Sequence, residues 1–368
     1  MNPAAAVHLT ADRRQSTGEY HQALVPLLTG SGEGLSVPAA RDAEQARLEA
    51  EVLRRVCAMG GLSRHPLGIV RVRPQEDALC LQLVDEPVIL AHWVEFLYPR
   101  VSDVGDAGED PRDRVGGVPG LRSAPVPGGV RLHRPGLGAA ILLRGFSPGR
   151  RERIAAKREG AHGSLLRQPG WTPVEKAAYD TPTTEPFGTL SALLRRIRAT
   201  AGAGPVNSTD VWTSGRGLRL ETTDGPPCPD LIRLLTQKPC GLGWEVTDTM
   251  CTCQCDHQHT ATGCTVNFRD PATGQPVWYS NLKWHRTRDN RHAETLARPD
   301  LNNSGTGPGR RVPPGGAARE GRGAHRNRSV AMSQAQRRPR LGSGRHEEST
   351  ALGDAEAQFT GLFHAEGG

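Results

Sequence analysis

Five residues able to bind a transition metal fall within nine positions in Cys251-Thr-Cys-Gln-Cys-Asp-His-Gln-His259. Thiolate and imidazole donors together suit zinc better than magnesium or calcium. If Met250 to His259 is a strand, its period of two puts Cys251, Cys253, Cys255, His257 and His259 on one face. The other face then carries Thr252, Gln254, Asp256 and Gln258, all polar.

A turn at Thr260-Ala-Thr-Gly263 would return the chain antiparallel, with His259 opposite Cys264, His257 opposite Val266 and Cys255 opposite Phe268. Directly opposed Cβ atoms lie about 4.5–5.5 Å apart, so Cys255, His257, His259 and Cys264 form the heart of a candidate zinc site. Cys253 and Cys251 lie further from the turn, and Cys240 is available from the preceding loop. The spacing departs from the CxxC pairs on tight turns that many zinc sites use. Two other chemistries suit the same residues: cysteines as small hydrophobes on a buried face, and thiol redox chemistry. A zinc ion with an open position would make the protein a metal-dependent enzyme, although Asp256, the nearest base in sequence, points to the opposite face.

The elements that must position this stretch are legible as helical and strand periods. Leu48, Val52 and Val56 recur at i, i+4, predicting an amphipathic helix from about Pro38 to Met59, with Glu44, Glu49 and Arg54 on its solvated face. Strands are predicted at Ile69–Arg73 and Leu79–Val84, then a helix from Pro87 to Tyr98. A hairpin follows, Val130–Arg134 turning through Pro135-Gly-Leu-Gly138 into Ala139–Leu143. The order then recurs: a helix around Phe187–Ile197, strands at Val211-Trp212 and Leu218–Leu220, and a helix carrying Leu231, Leu234 and Leu235. The repeat closes with a hairpin of Val266–Pro271 and Val277–Ser280.

The fold class expected is therefore α+β, in two tandem modules of order helix, strand, strand, helix, hairpin that read as a duplication. The boundaries are a flexible 1–36, a first module at 37–146, a linker at 147–185, a second module at 186–297 and a disordered basic tail at 298–368. The tail is rich in Gly, Pro, Arg and Ser and holds too little apolar surface to offset its ordering entropy.

Lys157, Lys176, Lys238 and Lys283 are the only lysines, so 42 of the 46 basic residues are arginine. Arginine suits phosphate recognition, although Ala, Gly, Pro and Arg are together abundant as in a GC-rich genome. The net charge of +7 and the tail clusters Arg310-Arg311, Arg337-Arg338 and Arg340 make nucleic acid the expected partner. Trp278, Tyr279 and Trp284 lie among cations in a pattern that fits base stacking or, more simply, an amphipathic strand. Asp210, Glu221 and Asp224 show no spacing that makes them a catalytic pair.

No apolar run approaches the ~20 residues of a membrane span, and the first residues lack the pattern of a secretory signal. A cytoplasmic, non-enzymatic binding protein, stabilised by zinc and associated with nucleic acid, is the expectation. The alternatives are the metal-dependent enzyme and a structural or assembly protein.

Overall fold

The computed structural model describes residues 3–28, 33–57, 63–101, 110–145, 147, 149–150, 153–154, 168–202, 207–214, 217–250 and 264–282. Within them lie two five-stranded mixed sheets with helices, an α+β architecture. Helix α1 spans Pro3–Thr17, α2 His21–Leu24 and α3 Ala43–Val56. The first sheet contains β1 (Ile69–Pro74), β2 (Leu79–Leu83), β5 (Arg122–Val126), β6 (Gly129–His133) and β7 (Ala140–Arg144). Helix α4 (Pro87–Leu97) lies between β2 and β5 in sequence, followed by a small ladder of β3 (Arg100–Val101) and β4 (Val115–Gly116). Helix α5 (Pro173–Asp180) and α6 (Phe187–Leu194) precede the second sheet. That sheet contains β8 (Ser208–Ser214), β9 (Gly217–Thr223), β10 (Glu245–Met250), β11 (Cys264–Arg269) and β12 (Pro276–Leu282), with α7 (Cys228–Thr236) between β9 and β10.

The two sheets have the same strand order. The first runs β1-β2-β7-β6-β5 and the second β8-β9-β12-β11-β10. In each, the first two strands pair antiparallel, the second and last pair parallel, and the last three form an antiparallel meander. Each expected terminal hairpin is thus two strands of that meander. The last strand of each meander enters the sheet beside the earlier hairpin, a parallel crossover that local periodicity does not reveal.

Local chemistry explains the boundaries. Asp42 caps α3 by accepting from the Gln45 N–H at 2.8 Å, so the helix starts there rather than at Pro38. Leu48, Val52, Leu53 and Val56 of α3 are fully buried, and one apolar core draws side chains from both sheets. Burying each such side chain is worth about 1.5–3 kcal/mol. Helices α3 and α6 pack against each other.

Three segments differ from expectation. The N-terminal part, expected to be flexible, contains α1, which lacks an apolar stripe and is held by polar contacts instead. Buried Arg13 pairs with Glu19 at 2.7 Å and donates to the Gly34 and Ser36 carbonyls. The chain leaves α1 through Gly18 (φ +74°), where a Cβ would sit 2.5 Å from the Val70 carbonyl of β1. The stretch expected to be a linker contains α5, started by a capping box in which Thr172 and Glu175 bond each other's backbone N–H. Glu175 also takes Arg122 of β5 through two bonds of 2.8 and 2.9 Å.

The third difference is Glu49, which is not on a solvated face. It is fully buried and accepts from Gln45, Ser191 and both Nε and Nη2 of Arg195, at 2.6–2.8 Å. Arg195 is equally buried, and its Nη1 donates to the carbonyls of Pro38 and Gln75. A burial this complete is possible because every charge has partners.

Candidate functional site

The strands of the first sheet alternate between a core face and an outer face. Leu79, Leu81 and Leu83 of β2 point inward, while Cys80 and Gln82 point outward. Pairing extends the outward rows across the sheet. Arg73 stands opposite Cys80, then Leu142, then Arg131. In the next row Arg71 stands opposite Gln82, then Arg144, then Gly129. The five strands hold five arginines and no aspartate or glutamate.

Arg122 is engaged by Glu175, and Arg73 and Arg131 are exposed. Arg71 and Arg144 are half-buried. The guanidinium of Arg71 lies 3.5 Å from the centroid of the Tyr20 ring, and Tyr20 is 54% exposed. Arg71 and Arg73 are about 7 Å apart along their strand, and Arg131 and Arg144 are diagonal neighbours at roughly 7–8 Å.

Two titratable groups on this face register its positive field. Burial pushes the Cys80 thiol up, while Arg144, Arg73 and Arg71, opposite or diagonal to it on the neighbouring strands, pull it down. The balance leaves Cys80 a neutral thiol and a poor nucleophile. His133 is held below the ordinary imidazole value by burial and by Arg131 and Arg122, so it is neutral at pH 7.

A second feature lies where α3 meets β8. A cavity of about 310 Å³ is lined by Arg54, Cys57, Asp210, Val211 and Trp212. Burial raises the Asp210 carboxyl to about 6, with Glu221 directly opposite on β9 adding to the shift. This pairing is not legible in sequence, because it depends on the β8–β9 register. Burial drives the Cys57 thiol far up, so it cannot serve as a thiolate there.

The expected zinc residues Cys251, Cys253, Cys255, His257 and His259 lie outside the described residues. Cys264 is described, and it is fully buried on the core face of β11 with Val266 and Phe268. The expected register is corrected by the pairing of β10: Thr249, not His257, stands opposite Val266, and Val246, not Cys255, stands opposite Phe268. The strand begins about five residues earlier than the cysteine alternation predicts, at Glu245 opposite Arg269, with a register shift between Val246 and Asp248. Among the described residues, no group of three or more His, Cys, Asp or Glu side chains is placed to hold a metal.

Cys240 is buried, with its thiol near the Leu9 and Leu35 carbonyls. The tail arginines Arg310, Arg311, Arg337, Arg338 and Arg340 lie outside the described residues. Tyr279 fills the core while Trp278 faces outward, and Trp284 is outside the described residues. No helix among the described residues is long and apolar enough to cross a membrane.

The arginine face is not legible in sequence, because β1 is brought beside the β6–β7 hairpin only through the parallel β2–β7 pairing. The signal was present in β1 and β6, where arginine occupies the outward position of each alternation. No protein-family model matches the chain, and neither a curated protein nor a solved structure matches it.

Proposed function

We propose that the protein is a non-enzymatic nucleic-acid-binding protein built from two duplicated α+β modules. The binding proposal is carried by the outer face of the first sheet, where Arg71, Arg73, Arg131 and Arg144 share one side over a span of about 14 Å from β1 to β6 and no strand supplies a carboxylate. Guanidinium groups bind phosphate oxygens in a fork geometry and release counterions as they do so. Tyr20, seated on Arg71 at the margin of the face, offers an exposed ring on which a base can stack. Open single strands suit such a surface better than a duplex, whose bases are already stacked.

The duplication proposal is supported by the shared strand order, the shared parallel crossover and the packing of the two equivalent helices α3 and α6. A cytoplasmic setting is supported by the described cysteines Cys57, Cys80, Cys228, Cys240 and Cys264, all of which are free thiols.

The test is fluorescence anisotropy of a labelled single-stranded oligonucleotide titrated with the full chain. Arg73→Ala/Arg131→Ala should bind about ten-fold more weakly than wild type, from the loss of two phosphate contacts. Equal affinity in both proteins would remove the face from the binding surface.

A further inference from the structure

The outer face of the second sheet differs in chemistry from that of the first. One row across it reads Trp212, Arg219, Trp278, Asn267, Asp248. The next reads Asp210, Glu221, Ser280, Thr265, Met250. Trp212 is 42% exposed, Met250 70%, and Leu282, one row further on, 41%. The Arg219 guanidinium lies 4.4 Å from the centroid of the Trp278 ring. Trp212, Arg219 and Trp278 stand side by side on three neighbouring strands, and Trp and Arg are residue types enriched at protein interfaces and at their energetic centres.

We propose that this face is a self-association surface, and that two copies of the chain meet through it about a two-fold axis. The choice of a second copy rests on charge complementarity. Arg219 and Glu221 are two residues apart on β9 and point to the same side. Among the described residues neither forms an ion pair. Consider a two-fold axis lying between two facing sheets, perpendicular to the strands and passing between these two rows. It sets Arg219 of one copy over Glu221 of the other, and the reverse, as a two-fold interface requires.

The same operation sets Trp212 against Asp210, Trp278 against Ser280, Asn267 against Thr265 and Asp248 against Met250. No like charges oppose one another in either row. Sheets packed face to face tolerate the offset of about 30° that strand twist imposes. Five strands about 4.8 Å apart give a face roughly 20 Å across, at the small end for a specific interface. The dimer is therefore reversible and concentration-dependent.

Sedimentation velocity on the full chain tests this, over a concentration range reaching about 100 μM, which populates a dimer of micromolar Kd. Wild type should shift from monomer to dimer as concentration rises. Arg219→Glu and Glu221→Arg should each weaken the dimer at least ten-fold, since each places like charges in opposition. An equimolar mixture of the two variants should recover a dimer, because each supplies the charge the other lacks. Recovery also shows that both variants are folded. A wild-type monomer throughout the range, single variants that dimerise normally, or a mixture that stays monomeric would each overturn the proposal. So would capture of another protein by this face with no self-association.

Discussion

Glu49 and Arg195 form a bidentate ion pair with both side chains fully buried, and they join the packed helices α3 and α6. Glu49 lies within α3, and Arg195 is the C-terminal cap of α6. Gln45 extends the link into the first sheet, exchanging bonds of 2.8 and 3.0 Å with the backbone of Ala140. One side-chain network therefore ties α3, α6 and β7 together.

Removing one partner of that pair leaves a buried charge with nothing to balance it. Glu49→Ala should destabilise the protein by roughly 3–5 kcal/mol, and Arg195→Ala by a similar amount. The double variant should cost less than the sum, because the second substitution removes the charge the first exposed. Urea unfolding of the three variants measures this. Single-variant losses below about 1 kcal/mol would mean the pair contributes little beyond its surroundings.

Asp210 gives stability a pH dependence of unusual sign for a carboxylate. Its folded value of about 6 lies above the ordinary value near 3.8, so the folded state holds its proton more tightly than the unfolded chain. Stability from this group is present below about pH 4 and is lost as pH rises through about 6. Asp210→Asn should therefore match wild type near pH 4 and exceed it at pH 7. Thermal unfolding midpoints at the two pH values check this, and a stability gap that is equal at both would contradict it.

His65 behaves in the opposite way. Burial and the neighbouring Arg198 and Arg64 lower its imidazole to about 4. Its contribution is present above about 6.5 and is lost as pH falls toward 4, because the unfolded chain takes the proton first. Ring resonances of His65 followed by NMR should not titrate until near pH 4. A midpoint near 6.5 would mean that the ring is solvated and remote from both arginines.

Much of the fold was legible where apolar periodicity was strong. The alternation of Leu79, Leu81 and Leu83 marked β2, and Leu48, Val52 and Val56 marked α3. Helix α1 was not legible, because Arg13 and Glu19 hold it through charge rather than an apolar stripe. Nor could Glu49 be read as buried, since its partner lies 146 residues away. The arginine face depends on β2 pairing with β7 across a crossover, which no local pattern encodes. In the cysteine stretch the odd–even alternation was real in sequence, but β11 pairs with residues before it, starting from Met250 opposite Thr265.

Arg73 and Arg131 are exposed, so Arg73→Ala/Arg131→Ala should change stability by no more than about 0.5 kcal/mol per site. Chemical denaturation of the double variant checks this. A larger loss would make any binding defect a folding defect.

The most direct measurement is the salt dependence of single-stranded oligonucleotide binding by three proteins: the full chain, Arg73→Ala/Arg131→Ala, and a deletion of residues 299–368. Each phosphate contact contributes about 0.7 to the slope of log affinity against log salt for a single strand. The double variant should lose about 1.4 from the wild-type slope, and the deletion should keep a slope that the same two substitutions reduce further. A double variant with the wild-type slope, together with a deletion that abolishes binding, would contradict the assignment of the first sheet's face and leave binding to the tail alone.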